Sequence, residues 1–377
     1  MLNNNGTFIN EGIMQTTYAR GIPKGTSSQK LELYLEQFML KVLDNFSWLK
    51  TGEIVLIKAA VNSPDAYPAT THPSAVEVLA KLIKDRDGIP VLGDQSGVEY
   101  IVHSPRGIIR GSTHDCFKQT GLSKASANVI AFEEDNWDDF HLFEHPKAAN
   151  WPDGFYITPW VAKADHIVSL PRISTHAQGG VTLGAKSWVG ILRQDSRMEF
   201  HAQGPYNAFI EHYARGSGLH AGNKRNLDFF EMITEIQLAI ADKLRGTIFT
   251  ATKVQTTMGP NQYLFENYGL KLFKAHVAEP ETGLLIGSTD PVAADAVAVA
   301  FLFDCYKNHT PLHKKLLQKP VTILNGQIHE LGSYNVWNNQ FVAHGLNLGL
   351  GNKFSAGHKL VIDDAQELSD RLIKLTA

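Results

Sequence analysis

The sequence has few cysteines: Cys116 and Cys305 are the only two among 377 residues. They lie far apart in the chain, and neither belongs to a C-x-x-C pair. This scarcity excludes a cysteine-ligated iron–sulfur cluster and a structural cysteine zinc site within the chain. We expect two free thiols, which are typical of a reducing compartment.

Long hydrophobic runs and an excess of one charge are also absent. No apolar run approaches the ~18 residues that a membrane-spanning helix needs, and residues 1–10 lack the features of a signal peptide. Lysine and arginine number 35 against 38 acidic residues, so a net charge of -3 gives no overall attraction to nucleic acid or an anionic bilayer. The sequence predicts a cytoplasmic protein that binds neither nucleic acid nor membrane.

Several common catalytic motifs are missing. The 16 histidines form no H-E-x-x-H helical pair, no G-x-G-x-x-G follows the first predicted strand, and there is no G-x-S-x-G. The stretch from Gly180 to Lys186 fails as a Walker loop because Ala185 precedes the lysine. The metalloprotease, dinucleotide, nucleotide and acyl-transfer classes therefore have no sequence signature here.

Short apolar segments instead alternate with stretches of helical periodicity. The order predicts an α/β fold with a mainly parallel sheet, flanking helices and two lobes around a polar crevice. The predicted strands are 54–58, 89–92, 128–132, 164–170, 246–252 and 283–288, and the main predicted helices are 31–49, 73–84, 228–244 and 292–303.

The length exceeds what one hydrophobic core usually organises. We predict an N-terminal extension and helix at 1–50, an α/β core at 51–305 with an excursion at about 191–227, and a C-terminal segment at 306–377 that packs on the core. The sequence leaves open whether the protein forms a homo-oligomer.

Polar turns follow the predicted strands, and the carboxyl ends of parallel strands are where α/β proteins build their sites. The turns after Lys58, Leu92, Leu170 and Ser288 are predicted to enclose the crevice. Asp94 lies in the second of these turns. We expect its carboxylate to position a base or a metal, with an Asx turn as the structural alternative.

The densest set of candidate side chains lies between Leu170 and Gly190. Cationic and hydroxyl groups around a glycine-bearing turn suit an anion. His176 is predicted to transfer a proton, because imidazole titrates near neutral pH, with a capping role as the alternative. The predicted substrate-binding residues are Arg172, Thr175, Gly179, Gly180, Thr182 and Lys186, together with Lys58 and Thr71 from earlier turns.

Two further positions have both a catalytic and a structural interpretation. His72 is a candidate catalytic residue, although Thr71-His72-Pro73 also suits a helix start. Asp290, directly before Pro291, suits a helix N-cap. If Asp94, His176 and Asp290 converge, they form an oxygen and nitrogen site for a divalent metal.

The order of these motifs resembles the DUF362 family over about residues 54–305. The matching elements are Lys58, Thr71-His72-Pro73, Gly93-Asp94-Gln95-Ser96-Gly97, the block from Arg172 to Gly190, Met258-Gly259-Pro260 and the helix start from Asp290 to Ala298. The family is largely uncharacterised, so the resemblance implies little about activity. The family is associated with iron–sulfur proteins through an attached ferredoxin-like module, which this sequence does not contain.

The sequence departs from the family pattern at several of these positions. Ala59-Ala60 replaces the usual Pro-Asn after Lys58, and Ser187 replaces an asparagine after Lys186. A divergent subfamily that keeps the pocket but alters its ligand would show such changes.

A cationic stretch follows the glycine-rich block. We predict either a mobile lid over an anionic ligand or a solvated excursion. Its basic residues are Arg193, Arg197, His201, His212, Arg215, His220, Lys224 and Arg225.

Together these patterns predict an enzyme that acts on a small anionic metabolite. They do not identify a cofactor, and they are compatible with a bound divalent metal. A non-catalytic ligand-binding or assembly protein with the same pocket is an alternative. A redox protein that depends on a partner is another, because the chain carries no visible electron carrier of its own.

Overall fold

The computed structural model describes residues 15–204, 210–222, 225–264, 272–326 and 328–377. Predictions about residues 1–14 and Lys224 lie outside the described residues. The strands are β1 (Gln15–Pro23), β2 (Ile54–Ala59), β3 (Ile89–Asp94), β4 (Val102–Ser104), β5 (Gly107–Arg110), β6 (Asn128–Ala131), β7 (His141–Phe143), β8 (Phe155–Ile157), β9 (His166–Leu170), β10 (Ser174–His176), β11 (Gly180–Thr182), β12 (Leu244–Ala251), β13 (Val254–Gln255), β14 (Tyr263–Leu264), β15 (Leu272–Lys274), β16 (Val277–Ala278), β17 (Thr282–Ser288) and β18 (His358–Asp363).

Helices connect and cover these strands. They are α1 (Ser28–Val42), α2 (Pro73–Lys84), α3 (Thr113–Thr120), α4 (Trp160–Lys163), α5 (Gly184–Ser187), α6 (Gln194–Gln203), α7 (Ile210–Tyr213), α8 (Phe229–Glu235), α9 (Pro291–His309), α10 (Leu312–Leu324), α11 (Gln340–Leu348) and α12 (Gln366–Thr376). None of the described helices combines the length and hydropathy needed to cross a membrane.

The largest sheet has eight strands in the order β18-β1-β17-β12-β9-β2-β3-β6. All neighbouring strands in it are parallel except β17, which runs antiparallel to both β1 and β12. This confirms the predicted α/β class with a mainly parallel sheet and flanking helices.

Strands β2, β3 and β9 in the interior of this sheet are buried on both faces, which explains why they are mostly apolar. Successive side chains of a strand point to opposite faces. Val55 and Ile57 accordingly pack in the cluster that contains the apolar side of α1 and α2, whereas Leu56 packs in the cluster that contains α9. Burying each such side chain contributes about 1.5–3 kcal/mol.

Helix α2 forms where the sequence predicts it. His72 is the N-cap, its Nδ1 accepting a hydrogen bond from the Ser74 N–H, and Pro73 occupies the first helical position, where no N–H is needed. Its apolar residues at helical spacing are buried against the sheet.

The helix predicted at 228–244 is wrong in its second half. Helix α8 ends at Glu235, a 3₁₀ segment covers Ile236–Ala239, and Leu244 already begins β12. The apolar periodicity continues past the end of the helix because Ile236 and Ile240 face the same core cluster.

The two ends of the described chain meet in the large sheet. Strand β1 lies between β17 and β18, next to the edge strand, so the predicted 1–50 extension contributes a strand of the large sheet as well as α1. The C-terminal segment packs on the core through α11 and α12 and supplies β18.

A second sheet has four short strands in the order β11-β10-β13-β16. Its hairpin β10–β11 carries His176 and Thr182, and pairs Ser174 with Thr182. Because Pro171 and Arg172 connect β9 directly to β10, this hairpin stands at the carboxyl edge of the large sheet.

Candidate functional site

An open cavity, which measures about 400 Å³ with the open solvent at its mouth included, lies beyond the carboxyl ends of β2, β3 and β9. This is the edge of the parallel strands where the sequence predicts a crevice. The polar residues that line it are Asn62, Asp94, Gln95, Arg172, His176, Thr182, Lys186, Ser187 and Arg197.

A buried ion pair forms the floor of this region. The Lys58 Nζ lies 2.7 Å from Asp94 Oδ1, and both side chains are almost fully buried. Lys58 also donates a hydrogen bond to the Ala59 carbonyl, and the Val61 N–H donates to Asp94 Oδ2 at 2.6 Å. Burial lowers the pKa of Lys58, whereas the Asp94 carboxylate opposes that shift. The pair fixes the ends of β2 and β3 relative to each other.

Gly190 packs directly over this ion pair. A Cβ at residue 190 would overlap Asp94 Oδ1 and lie 3.0 Å from the Lys58 Nζ. We expect Gly190→Ala to lower the free energy of unfolding by about 1–3 kcal/mol, because overpacking displaces neighbouring groups. Urea unfolding followed by circular dichroism measures this loss.

Gly326 provides the matched control for that substitution. A Cβ at residue 326 would meet no atom within 4 Å. We expect Gly326→Ala to change stability by less than about 0.5 kcal/mol. Equal losses in the two alanine variants would contradict the packing of Gly190 on the ion pair.

Two arginines line the cavity and are almost fully buried. Arg172 is 3% exposed and Arg197 is 2% exposed. The Arg172 Nη1 donates to the Pro260 carbonyl at 2.9 Å, and the Arg197 Nη2 donates to the Gln95 carbonyl at 3.5 Å. Within the described residues, the Arg172 Nε and the Arg197 Nε and Nη1 have no hydrogen-bond partner. Burial lowers the pKa of each guanidinium to about 10, so both remain charged at neutral pH.

Lys186 adds a third cation to the lining. It belongs to α5, directly after the β11 strand, and its stem packs near Gly179. Burial, with Arg172 and Arg197 close by, lowers the pKa of the amine to about 7. An amine with this pKa gains and loses its charge near neutral pH, whereas the amine of an exposed lysine remains protonated.

His176 faces the cavity as a neutral ring. Its Nδ1 accepts hydrogen bonds from the Gln178 and Gly179 N–H groups at 3.0 and 3.1 Å. The neutral imidazole must then carry its hydrogen on Nε2. Burial, with Lys186, Arg172 and His201 nearby, lowers the pKa of His176 well below its usual value. This geometry favours a hydrogen-bond donor over the predicted proton-transfer role.

The predicted backbone cradle at Gly179 and Gly180 is wrong. Neither glycine lines the cavity, and the Gly179 N–H donates to the His176 ring. The first N–H groups of α5, from Gly184 and Ala185, donate to the Asp295 carboxylate at 2.8 and 2.9 Å. The chain itself thus occupies these donors, and the polar groups that line the cavity come from side chains.

Four other predicted site residues support the cavity from behind and do not line it. Lys58 is paired with Asp94, and Thr71 links the Ala60 N–H to the Leu170 carbonyl through its hydroxyl group. His72 caps α2, and burial lowers its pKa to about 4. Thr175 is fully buried next to the Gln255 carbonyl.

The predicted metal site of Asp94, His176 and Asp290 does not form. Asp290 caps α9 and accepts from the Ala293 and Asn352 N–H groups, and it does not line the cavity. The reason is that β17 runs antiparallel, so its start, and not its end, reaches the carboxyl edge of its neighbour β12. Asp94 and the Nδ1 of His176 are engaged in the contacts described above.

One group among the described residues has metal-ligand geometry. The ligand atoms of Glu231, Glu235 and His344 lie within 4.8 Å of one another, where α8 packs on α11. Asn150 donates hydrogen bonds to both carboxylates, and each ring nitrogen of His344 lies 3.4 Å from one of them. The group shares no residue with the cavity lining.

The sequence patterns did not indicate four of the polar groups at the cavity, among them Asn62 in the turn after β2. Gln95 and Ser187 stand next to predicted residues, but Arg197 was expected in a lid or a solvated excursion. Helix α6 instead buries Arg197 against the turn after β3. The sequence pattern that could have indicated Arg197 is its spacing of four residues from Arg193, the N-cap of α6. Such a spacing carries little information alone.

Comparison with known proteins places this architecture in a family. The domain of unknown function DUF362 matches residues 55–300, which is more than half of the chain. The chain belongs to the DUF362 family. The matched region of this DUF362 protein contains all the cavity residues named above.

A curated relative gives a more distant comparison. This DUF362 protein is 24% identical over 260 residues to a thylakoid-associated protein of Synechocystis sp., and the alignment covers 68% of this chain. It covers 65% of the relative, so the aligned part of the chain spans less than two thirds of that protein. No solved structure matches this chain.

Proposed function

We propose that this chain is an enzyme that acts on a small anionic metabolite bound in the cavity. One observation carries the proposal: Arg172, Lys186 and Arg197 line one cavity, and within the described residues none of them forms an ion pair. Among the residues that the structure describes, the only carboxylate in the lining is Asp94, which is already paired with Lys58. Buried charges are costly without a partner, and an anionic ligand supplies one.

The proposed roles follow from the geometry. Arg172 and Arg197 hold the anion through charge-assisted hydrogen bonds, and Thr182 orients it. The Nε2–H of His176 donates a further hydrogen bond. A bound anion raises the pKa of Lys186 above its unbound value of about 7, so its ammonium is suited to general acid catalysis.

Anion binding is tested by thermal unfolding and calorimetry with a panel of inorganic and small organic anions. A ligand at 100 times its Kd stabilises the native state by about 2.7 kcal/mol. We expect Arg197→Gln to weaken binding by roughly 10- to 100-fold, because a charged hydrogen-bond donor is lost. Arg225→Gln is the control, since Arg225 is exposed and pairs with Asp153 outside the cavity. Equal binding by both variants would exclude the cavity as the anion site.

Turnover separates an enzyme from a binding protein. Each anion that binds is incubated with the protein and followed by proton NMR for chemical conversion. We expect Lys186→Gln to lower kcat by about 100-fold or more, which is the usual contribution of a general acid. Binding without conversion of any ligand would favour the non-catalytic alternative.

A reducing, cytoplasmic location is part of the same proposal. Cys116 and Cys305 are both free and buried, and unpaired thiols are usual in that compartment.

A further inference from the structure

We propose that the group bound by this cavity is a phosphoryl group, carried as the monoester of a small metabolite. The inference rests on the proposed function, since it names the class of anion for the same site. It is carried by the number and type of hydrogen-bond donors that the cavity leaves unused.

The unused groups are mostly donors. Within the described residues, buried atoms without a hydrogen-bond partner include the Arg172 Nε, the Arg197 Nε and Nη1, the Gln95 amide and the Thr182 and Ser187 hydroxyls. All of these side chains line the same cavity, and each is more than nine-tenths buried. Apart from Asp94 Oδ1, which makes no hydrogen bond but is paired with the Lys58 ammonium, the Gln95 oxygen is the one pure acceptor among the unpartnered atoms of the described cavity residues.

A carboxylate is too small an acceptor for this set. It offers two oxygens with about four lone-pair sites, whereas a phosphoryl group offers three strongly accepting oxygens. A phosphate monoester also carries a charge of about -1.5 to -2 at pH 7. That charge matches a lining in which two permanent guanidinium charges and Lys186 face one carboxylate that is already paired.

The types of cation in the lining also favour a phosphoryl group. Two guanidinium groups present planar pairs of donors that suit phosphate oxygens, and a lysine ammonium adds a point charge. Because Nη1 of Arg172 and Nη2 of Arg197 are held by the Pro260 and Gln95 carbonyls, their remaining N–H groups are fixed in direction. Preorganised donors bind without the cost of ordering side chains.

The rest of the lining favours an ester over the free ion. Val61, Val189 and Pro260 form an apolar part of the wall. A carbon chain attached to the phosphoryl group would contact this part, whereas inorganic phosphate leaves it to water.

Isothermal titration calorimetry at pH 6.5 tests the inference with inorganic phosphate, glycerol 3-phosphate and succinate. We expect glycerol 3-phosphate to bind at least about tenfold more tightly than succinate, because fewer of the donors remain unpaired. Tighter binding of inorganic phosphate than of glycerol 3-phosphate would assign the site to the free ion and overturn the ester.

Two arginine variants test the phosphoryl assignment separately from the proposal that the cavity binds an anion. Arg197→Lys keeps the charge and removes the planar fork, so we expect roughly tenfold weaker binding of glycerol 3-phosphate and little change for succinate. Arg225→Lys is the matched control. If succinate binds more tightly and depends on Arg197, the anion site stands and the phosphoryl assignment is wrong. If no probe depends on Arg197, both proposals are wrong.

A further variant covers the case in which Arg197→Lys does not fold. Lys186 is only partly buried and makes no ion pair among the described residues. Lys186→Gln must then weaken binding of glycerol 3-phosphate more than binding of succinate. The same loss for both ligands would overturn the phosphoryl assignment.

Discussion

Lys58→Met is expected to lower the free energy of unfolding by about 3–5 kcal/mol at pH 7, the usual effect of removing one partner from a buried ion pair. The substitution preserves most of the side-chain volume but leaves the Asp94 carboxylate buried without its cation. Lys58 does not line the cavity, so this loss concerns the fold. Urea unfolding monitored by circular dichroism gives the value.

The double variant Lys58→Met/Asp94→Asn is the control for that result. Asparagine removes the uncompensated charge while its side-chain oxygen still accepts from the Val61 N–H. We expect the double variant to recover at least half of the stability that Lys58→Met loses. If both variants lose the same amount, the two charges are not coupled and the ion pair does not stabilise this edge of the sheet.

The affinity for sulfate is expected to fall by about tenfold for each pH unit above 7. Sulfate does not titrate in this range, so the change reports on the protein. The pKa of Lys186 is about 7 in the free protein, and the protonated fraction of the amine falls tenfold per unit above that value. Below pH 7 the ammonium is formed, and the affinity levels off. Calorimetry from pH 6 to 9 measures the profile.

The neighbours of Lys186 keep their protonation state in this range. Arg172 and Arg197 have pKa values of about 10, so they stay charged over most of it. Burial lowers the pKa of His176 well below its usual value and that of His201 to about 3, so both rings stay neutral. Glu99 also acts on Lys186, and its charge favours the ammonium.

Lys186→Arg tests the assignment of that profile. Arginine stays charged up to pH 9, so we expect sulfate affinity in this variant to be nearly independent of pH. Lys186→Gln is expected to bind weakly and without pH dependence. A steep profile that persists in either variant would show that another group titrates.

Local patterns were sufficient to predict much of the fold. Pro73 after a polar pair predicts the start of α2, and the apolar strands at 54–58 and 89–92 predict a parallel sheet. Strand direction was harder to predict. Nothing in the residues of β17 shows that it runs antiparallel, because an apolar strand buried on both faces has the same composition in either direction.

Strand direction also explains which of the predicted site residues line the cavity. Asp94, Arg172, His176, Thr182 and Lys186 line the cavity because they follow parallel strands or the hairpin joined to β9. Asp290 follows the antiparallel strand and lies elsewhere. Arg197 comes from a helix whose burial depends on packing between distant segments, and a single sequence contains no direct record of that packing.

Strand β1 pairs on one side with β17 and on the other with β18, both of which come more than 250 residues later in the chain. Long loop closures of this kind slow folding. During synthesis from the N-terminus, the first strand of the sheet emerges early and has no neighbour until residues 282–288 have left the ribosome. Its unpaired edges are therefore open to aggregation or to binding by a chaperone while the chain is only partly synthesised.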